Sequence, residues 1–390
     1  MGESRARYER RRTRPEVPML EILKSATNFL ANPPVLLTVT MVLFVLVFPI
    51  NARLERWHKK LRLDLLWTRS GAVTGAVLLT LFIAFGMTDP NFRTILTKPD
   101  NVPIVGLLYL VPFFLWLAMN QAVENDRRIA AGERPVEYSA PEDKVLVWPD
   151  LVYIELIALV LMTVFLIVWS LLVAAPLEGP ANPTVSPNPS KAPWYFLALQ
   201  EMLVYFDPWI AGVTLPAAMV FALMAIPYID TNPKGQGYYS YQERKMAITL
   251  FLFCWLVIWV LLIVVGTFLR GPNWNFFGPF EFWDVHKVVP LNNMNLSEYI
   301  YVSWLGTGLP DNVLLREAWG ILLLGLYFLG LPLLLARTLL KKHLLQMGAL
   351  RYSVFVMVTL IMFALPIKMY LRWLFTLKYV VAIPELSFNI

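Results

Sequence analysis

Long apolar segments alternate along the chain with shorter segments that carry most of the charged residues. An α-helix needs ~20 apolar residues to cross the hydrocarbon core of a bilayer, and most of these segments approach that length. The apolar blocks are Val35–Ile50, Gly71–Met87, Val102–Met119, Leu151–Ala175, Ile210–Tyr228, Met246–Leu269, Ala318–Leu335 and Tyr352–Leu371. The pattern predicts an all-α, polytopic transmembrane helix bundle with about seven or eight spans.

The first block leaves two alternatives open. It is short and is bracketed by Pro33, Pro34 and Pro49, so it is either a tilted span or a hairpin that dips into the membrane and returns. The residues before it form an Arg-rich head at 5–14 with no apolar run immediately behind it. This head is therefore not a secretory signal peptide.

Basic residues predict the orientation of the bundle. The loops at 51–70, 121–150, 229–245 and 337–351 are rich in Lys and Arg, whereas those at 88–101, 176–209 and 270–317 carry few for their length. Cytoplasmic loops of membrane proteins carry the excess of Lys and Arg. The basic loops are therefore predicted to face the cytoplasm, and the protein is predicted to lie in a bacterial cytoplasmic (inner) membrane.

Composition narrows the chemistry further. Hydrophobic residues make up 58% of the chain and charged residues 15%, with a net charge of +6. Much of that charge lies in loops beside predicted spans, so membrane lipid and not nucleic acid is the expected partner of the basic residues. The single cysteine, Cys254, excludes an internal disulfide framework and a multi-cysteine iron–sulfur site.

The segment NPSKAPWYFLALQEML (188–203) is unusual for a loop between spans. Pro193 suits the first turn of a helix, and Asp207-Pro208 would end it. The predicted helix at 193–206 is too short to span, so it should lie at the outer membrane surface and place Glu201 in a partly dry environment. Such a carboxyl group has a raised proton affinity. The alternative is an interfacial helix whose Glu201 simply reaches water.

This segment resembles a known family. Asn182-Pro183, Pro187 and Pro193–Leu197 are similar to the region around the Pro-Glu-Trp-Tyr motif in the C-terminal half of cytochrome b, the part equivalent to subunit IV of the plastid complex. WPDLVYIEL at 148–156 and PYIDTNPKG at 227–235 resemble two further landmarks of that half, in the same order and spacing.

The resemblance implies three regions and a role in electron transport. Residues 148–336 would be the cytochrome b C-terminal-like domain. Residues 1–147 would be an N-terminal extension with two or three membrane segments, and residues 337–390 a C-terminal extension with one more span. The chain would be a subunit of a quinol:cytochrome c oxidoreductase of the respiratory or photosynthetic bc type, and would not be catalytic alone.

The resemblance also implies a quinol site on the outer side. Tyr195 is carried over as a residue beside the quinol-oxidation pocket, and Pro193, Trp194, Phe196 and Leu197 complete the motif, with Trp194 and Phe196 better explained as packing. Pro193 stands where the family has the glutamate that binds quinol and accepts a proton. Glu201, two turns further along, is the candidate proton acceptor in its place.

Histidines indicate where the haems of such a complex belong. Cytochrome b holds two haems with paired histidines, but this chain has only His58, His286 and His343, all in predicted loops and none paired at helical spacing. The b haems are therefore expected on a partner, a haem-bearing cytochrome b N-terminal subunit. A Rieske-type iron–sulfur protein, a cytochrome c subunit, or both, would take the electrons.

Two features leave alternatives open. The outer loop at 271–290 contains four Phe and two Trp, which fit either an interfacial aromatic belt or a docking surface for an electron-carrying subunit. The chain as a whole could instead be a scaffold subunit of another respiratory complex or a transporter. Transporters usually contain internal repeats and polar residues at mid-membrane, and the sequence shows no convincing repeat.

Overall fold

The structure, a computed structural model, describes residues 18–139, 145–173, 180, 182–184, 186–232, 237–290, 292–386 and 388–390. The Arg-rich head, Lys144 and Lys234 lie outside the described residues.

Helices form almost all of the regular structure in the described residues. They are α1 Pro18–Leu30, α2 Pro33–Val47, α3 Ala52–Lys60, α4 Arg69–Gly86, α5 Pro90–Leu96, α6 Pro99–Ala130, α7 Val147–Leu172, α8 Leu197–Met202, α9 Ile210–Ile229, α10 Tyr241–Leu269, α11 Val313–Arg316, α12 Ala318–Arg337 and α13 Lys341–Phe375. Short 3-10 or π turns lie at Leu63–Trp67, Val136–Ser139, Trp194–Phe196, Pro272–Trp274, Glu298–Trp304 and Pro384–Leu386. Strands β1 (Ala382–Ile383) and β2 (Phe388–Asn389) pair antiparallel near the C-terminus.

The predicted fold class is confirmed. Within the described part of the chain, seven helices are long and apolar enough to cross a membrane: α4, α6, α7, α9, α10, α12 and α13. The pair α1 and α2, bent by 80° at a short break, adds an eighth candidate. The chain is an all-α, multi-pass integral membrane protein.

Contacts at the two ends of α2 bear on the alternatives for the first block. Just before α2, Asn28 accepts a hydrogen bond from the backbone N–H of Phe280 at 3.0 Å, beyond the C-terminal end of α10. Just after α2, the carbonyl of Pro49 accepts one from the hydroxyl of Tyr241 at 3.3 Å, at the N-terminal end of α10. Because the ends of α2 meet opposite ends of a spanning helix, this geometry favours a span over a hairpin.

The centre of the bundle is α10, which is the most deeply buried of the candidate spans. Phe253 of α10 contacts Phe44 of α2, with ring centroids 5.6 Å apart, and stacks on Phe363 of α13 at 4.8 Å. Two helices from opposite ends of the sequence therefore pack against the same residue of α10. Aromatic pairs of this kind add about 0.5–1.5 kcal/mol beyond the burial of their area.

Two other helices show where the bundle is open and where it turns. No residue of α7 is buried, although every residue of α7 is described. In α13, Gly348 has a φ of 75° and breaks the helix after its first two turns. A side chain at this φ would be strained, so glycine suits the turn.

The prediction that all three histidines lie in loops is wrong for two of them. His58 lies in α3 and His343 in the first turns of α13. Both helices begin beside basic residues, and such a charged pattern is compatible with a helical segment at a membrane surface as well as with a loop.

Candidate functional site

The short helix of the NPSKAPWYFLALQEML segment is present but shorter than predicted. A 3-10 turn at Trp194–Phe196 leads into α8, which ends at Met202. The chain does not straighten there, since the N–H groups of Tyr205 and Phe206 both bond to the Met202 carbonyl at 3.0 Å. Tight turns therefore replace the last predicted helical turn before Asp207-Pro208.

A glycine lets α8 lie directly against α10. A Cβ atom added at Gly266 would lie 2.7 Å from Cγ of Leu197 and 3.2 Å from Cγ of Glu201. Real Cβ atoms essentially never come within 3.0 Å of another atom, so any larger residue here would require Leu197 or the helices to shift. The close approach brings the Glu201 side chain onto the last turn of α10.

Glu201 forms an ion pair with Arg270, the residue that follows α10. The Glu201 side chain is fully buried and that of Arg270 is nearly so. Nε of Arg270 donates to Oε1 and Oε2 of Glu201 at 2.9 and 3.1 Å, and Nη2 donates to Oε2 at 3.1 Å. Charge-assisted bonds in a two-pronged arrangement are among the stronger polar contacts in proteins.

This burial corrects one alternative from the sequence. A glutamate that merely reaches water from an interfacial helix would be exposed, whereas Glu201 is 0% exposed. Leu197 and Glu201 share the buried face of α8, and Trp194 packs partly against the core.

Arg270 has further partners that do not depend on Glu201. Its Nη1 donates to the carbonyl of Trp274 at 2.7 Å. Its guanidinium carbon lies 3.6 Å from the centroid of the Phe276 ring, a favourable position for a cation over an aromatic face. The arginine is therefore held in place by the outer loop as well as by the carboxylate.

Burial and charge act in opposite directions on the Glu201 carboxyl. Burial raises its pKa, because the charged form loses its hydration, and the nearby Arg270 and Lys191 oppose that rise. Tyr205, beside the pair, also has a raised pKa, and the cause is again burial. The pair thus lies in a dry site where a proton on Glu201 is less costly than it is in water.

Gln200, the other polar residue of the segment, has a structural role. Its side-chain oxygen accepts from the backbone N–H of Ala192 at 2.8 Å, and its amide nitrogen donates to the carbonyl of Ser190 at 2.9 Å. These bonds fasten the loop before the motif onto α8. Gln200 therefore holds the preceding loop, whereas Glu201 pairs with Arg270.

The aromatic motif is divided between the interior and the surface. Leu197 is buried, and Trp194 is partly buried. Pro193 is exposed, and Tyr195 and Phe196 are about half exposed with their rings 4.8 Å apart. The structure therefore brings Leu197 and Glu201 together and places Tyr195 and Phe196 on a different side of the helix, available to another molecule.

Sequence reasoning missed Arg270 and Lys191. Nζ of Lys191 donates to the carbonyl of Thr267 at 3.0 Å, on the turn of α10 that carries Gly266. Arg270 had one available signal, since it is a lone arginine at the outer end of an apolar block. Its partner is 69 positions away, and no pattern in the sequence connects the two.

In the outer loop that follows Arg270, two aromatic rings differ from the prediction of an interfacial aromatic belt. Phe277 and Phe280 are buried within the protein, and Phe280 stacks on Phe92 of α5 at 5.2 Å. An aromatic belt in the lipid interface is therefore wrong for these two rings. The second half of the loop, from Glu281 to Pro290, is largely exposed.

No described set of three or more His, Cys, Asp or Glu side chains converges as a metal site. The three histidines lie far apart in the sequence, two near the ends of helices and His286 exposed in the outer loop.

Comparison with known proteins agrees with the motifs. Residues 180–281 match the family model described as cytochrome b (C-terminal)/b6/petD. The match contains the aromatic motif, α8, α9, α10 and Arg270, but not the 148–156 landmark. No solved structure matches the chain.

The family is one of cytochrome bc-type electron-transfer complexes, and the match supports a role for the chain as a membrane subunit of such a complex. Over residues 180–281, the chain is similar to the C-terminal half of cytochrome b, as its motifs predict.

Proposed function

We propose that the chain is the haem-free membrane subunit of a quinol-oxidising bc-type complex and forms part of the outer-side quinol oxidation site. One observation carries the proposal: the family match contains the aromatic motif, and Tyr195 and Phe196 of that motif are exposed while the rest packs. A quinone ring is flat and apolar, and exposed aromatic faces suit it. These two residues would form one wall of a pocket that a partner completes.

The exposed helix α7 supports the presence of a partner. None of its residues is buried by the rest of this chain, so either lipid or another membrane subunit covers it. A haem-bearing cytochrome b N-terminal subunit is the expected neighbour. A Rieske-type iron–sulfur protein, a cytochrome c subunit, or both, would receive the electrons on the outside.

In this proposal Glu201 accepts a proton that quinol releases. Quinol oxidation frees two protons and two electrons. A positioned base that accepts a proton typically speeds such a step by about 10²–10⁴-fold. Burial raises the pKa of Glu201, which makes its carboxylate a better proton acceptor than that of an exposed glutamate. Arg270 retains the Trp274 carbonyl and the Phe276 ring when the carboxylate is neutralised, so protonation does not leave the cation without partners.

The proposal is tested in the purified complex with Glu201→Gln and Tyr195→Leu. Gln keeps the shape and one acceptor oxygen for Arg270 but cannot take a proton. We expect quinol oxidation to fall by ~10²–10⁴-fold in Glu201→Gln from about pH 6 to about pH 9. Tyr195→Leu should mainly raise the quinol KM, because it removes a contact surface.

Two controls separate loss of function from loss of assembly. Tyr228→Leu removes an exposed tyrosine at the C-terminal end of α9, outside the aromatic motif, and should leave turnover unchanged. Co-purification of the haem-bearing subunit and its b-type spectrum report assembly for each variant. Wild-type turnover in an assembled Glu201→Gln complex would contradict the role of Glu201, and wild-type kinetics in both variants would favour the scaffold alternative.

A further inference from the structure

The polar cluster around Glu201 continues beyond the ion pair. Lys191, in the loop that precedes the aromatic motif, donates to the carbonyl of Thr267 at 3.0 Å and lies 5.0 Å from the centroid of the Trp283 ring. Gly266, the neighbour of Thr267, is the point where Glu201 packs on α10. Lys191 and Glu201 therefore meet the same turn of α10.

Three buried polar atoms in this region have no hydrogen-bond partner among the described residues: Tyr205 Oη, Thr267 Oγ1 and Trp283 Nε1. Buried polar atoms in folded proteins are nearly always hydrogen-bonded, and ordered waters supply the bonds that the protein does not. Such atoms are few in the described residues, and three of them occur beside one ion pair and one lysine. The region therefore has polar atoms to which internal water can bond, beside the Glu201–Arg270 pair and beside Lys191.

The charges in the region allow protons to move. Burial lowers the pKa of Lys191 to about 7, with a further contribution from Lys98; Glu201 acts in the opposite direction and Arg270 lowers the pKa slightly more. The positive charges of Arg270 and Lys191 both favour the ionised form of Glu201. Near neutral pH, Lys191 therefore exists both as an amine and as an ammonium group, which is the property of a group that passes protons on.

We propose that Lys191 is the group through which Glu201 exchanges its proton with the outer surface. This role of Lys191 depends on the proposed function in one respect only, that quinol supplies the proton. The Glu201 carboxylate takes a proton from a quinol hydroxyl, and the acid gives it to a water bonded to Thr267 Oγ1. That water gives a proton to the neutral Lys191 amine, and the resulting ammonium releases it to bulk water on the side of exposed Lys98. Each step moves one proton and no electron.

The experiment compares Lys191→Met with Lys191→Arg in the assembled complex. Met removes the charge and the exchangeable proton. Arg keeps the charge and can donate to the Thr267 carbonyl, but a guanidinium stays protonated at neutral pH and cannot relay a proton. Lys287→Met is the matched control, because Lys287 lies in the same outer region and donates to a backbone carbonyl, that of Phe276.

The measurement is the rate of hydrogen–deuterium exchange of the Glu201 carboxyl, followed by time-resolved infrared spectroscopy without added quinol. The band is assigned by its loss in Glu201→Gln. We expect both Lys191 variants to slow the exchange by about tenfold or more, at the lower end of what a proton-transfer group contributes. Lys287→Met should leave the exchange rate unchanged.

Two results would overturn the proposal: exchange at the wild-type rate in Lys191→Met, or a wild-type rate in Lys191→Arg, which would mean that only the charge at position 191 matters. The test also stands apart from quinol oxidation. If Lys191→Met and Lys191→Arg slow the exchange while Glu201→Gln turns over normally, Lys191 is the outlet for Glu201 and the role of Glu201 in quinol oxidation fails.

Discussion

Glu201 and Arg270 are both buried, although each carries a charge in its ordinary state and both lie beside a membrane. Removing two charges from water costs several kcal/mol per ion, and their mutual attraction offsets this only when the geometry is good and the other polar atoms are satisfied. Here the carboxylate accepts three hydrogen bonds, and the arginine has a carbonyl and a ring as additional partners. The pair is therefore both a structural contact and a place where a proton can change the local charge.

Arg270→Met should strongly destabilise the protein, because it leaves the Glu201 carboxylate buried without a counter-ion. Breaking a buried pair from one side typically costs about 3–5 kcal/mol. The double variant Glu201→Gln with Arg270→Met should recover much of that loss, since neither charge remains. Thermal unfolding of the purified protein in a double-mutant cycle measures the coupling. Additive losses in the cycle would contradict the pairing.

Helix α8 depends on α10 for its position, because it is too short to be stable alone. Isolated helices of fewer than ~12 residues are marginal in water, and tertiary packing supplies most helical stability in proteins. The buried face of α8, with Leu197, Ala198, Glu201 and Met202, packs on the outer part of α10. Gly266 sets the distance between the two helices and so fixes where Glu201 meets Arg270.

Gly266→Ala should separate α8 from α10 and weaken the ion pair. The new Cβ would come within 2.7 Å of Leu197 and 3.2 Å of Glu201, and overpacking of this kind typically costs about 1–3 kcal/mol. Gly325→Ala is the matched control, because a Cβ at Gly325 of α12 meets nothing within 4 Å. The control should be neutral or slightly stabilising. Equal unfolding temperatures for the two variants would show that the helices can adjust without loss.

Across the whole molecule, the features set by local pattern were predictable and those set by long-range contact were not. The seven longer spans follow from runs of apolar residues. Helix α1 was missed because it has polar residues on one face and forms no apolar run. The ion pair was missed because its members meet only after α8 folds back on α10. The exposed motif residues could be assigned to a family, but only the fold shows that Tyr195 is exposed and Glu201 buried.

The contacts of α1 and α2 extend the predicted topology, and cysteine labelling tests it. Asn28 lies beside the outer loop after α10, whereas Pro49 lies beside the other end of α10. If the positive-inside assignment holds, α1 lies on the outer side together with the loop at 186–190, and Ala130 faces the cytoplasm.

In a background with Cys254→Ser, single cysteines at Leu23, Ser186 and Ala130, all exposed, are treated in intact cells with a reagent that does not cross the membrane. The cysteines at positions 23 and 186 should react at once, and the one at position 130 only after the cells are opened. Protection at 23 with reaction at 186 would place α1 on the cytoplasmic side and restore the hairpin alternative for the first block. Protection at 186 with reaction at 130 would show that the bundle has the opposite orientation. The aromatic motif would then lie on the cytoplasmic side and not on the outer side, where the quinol oxidation site is proposed.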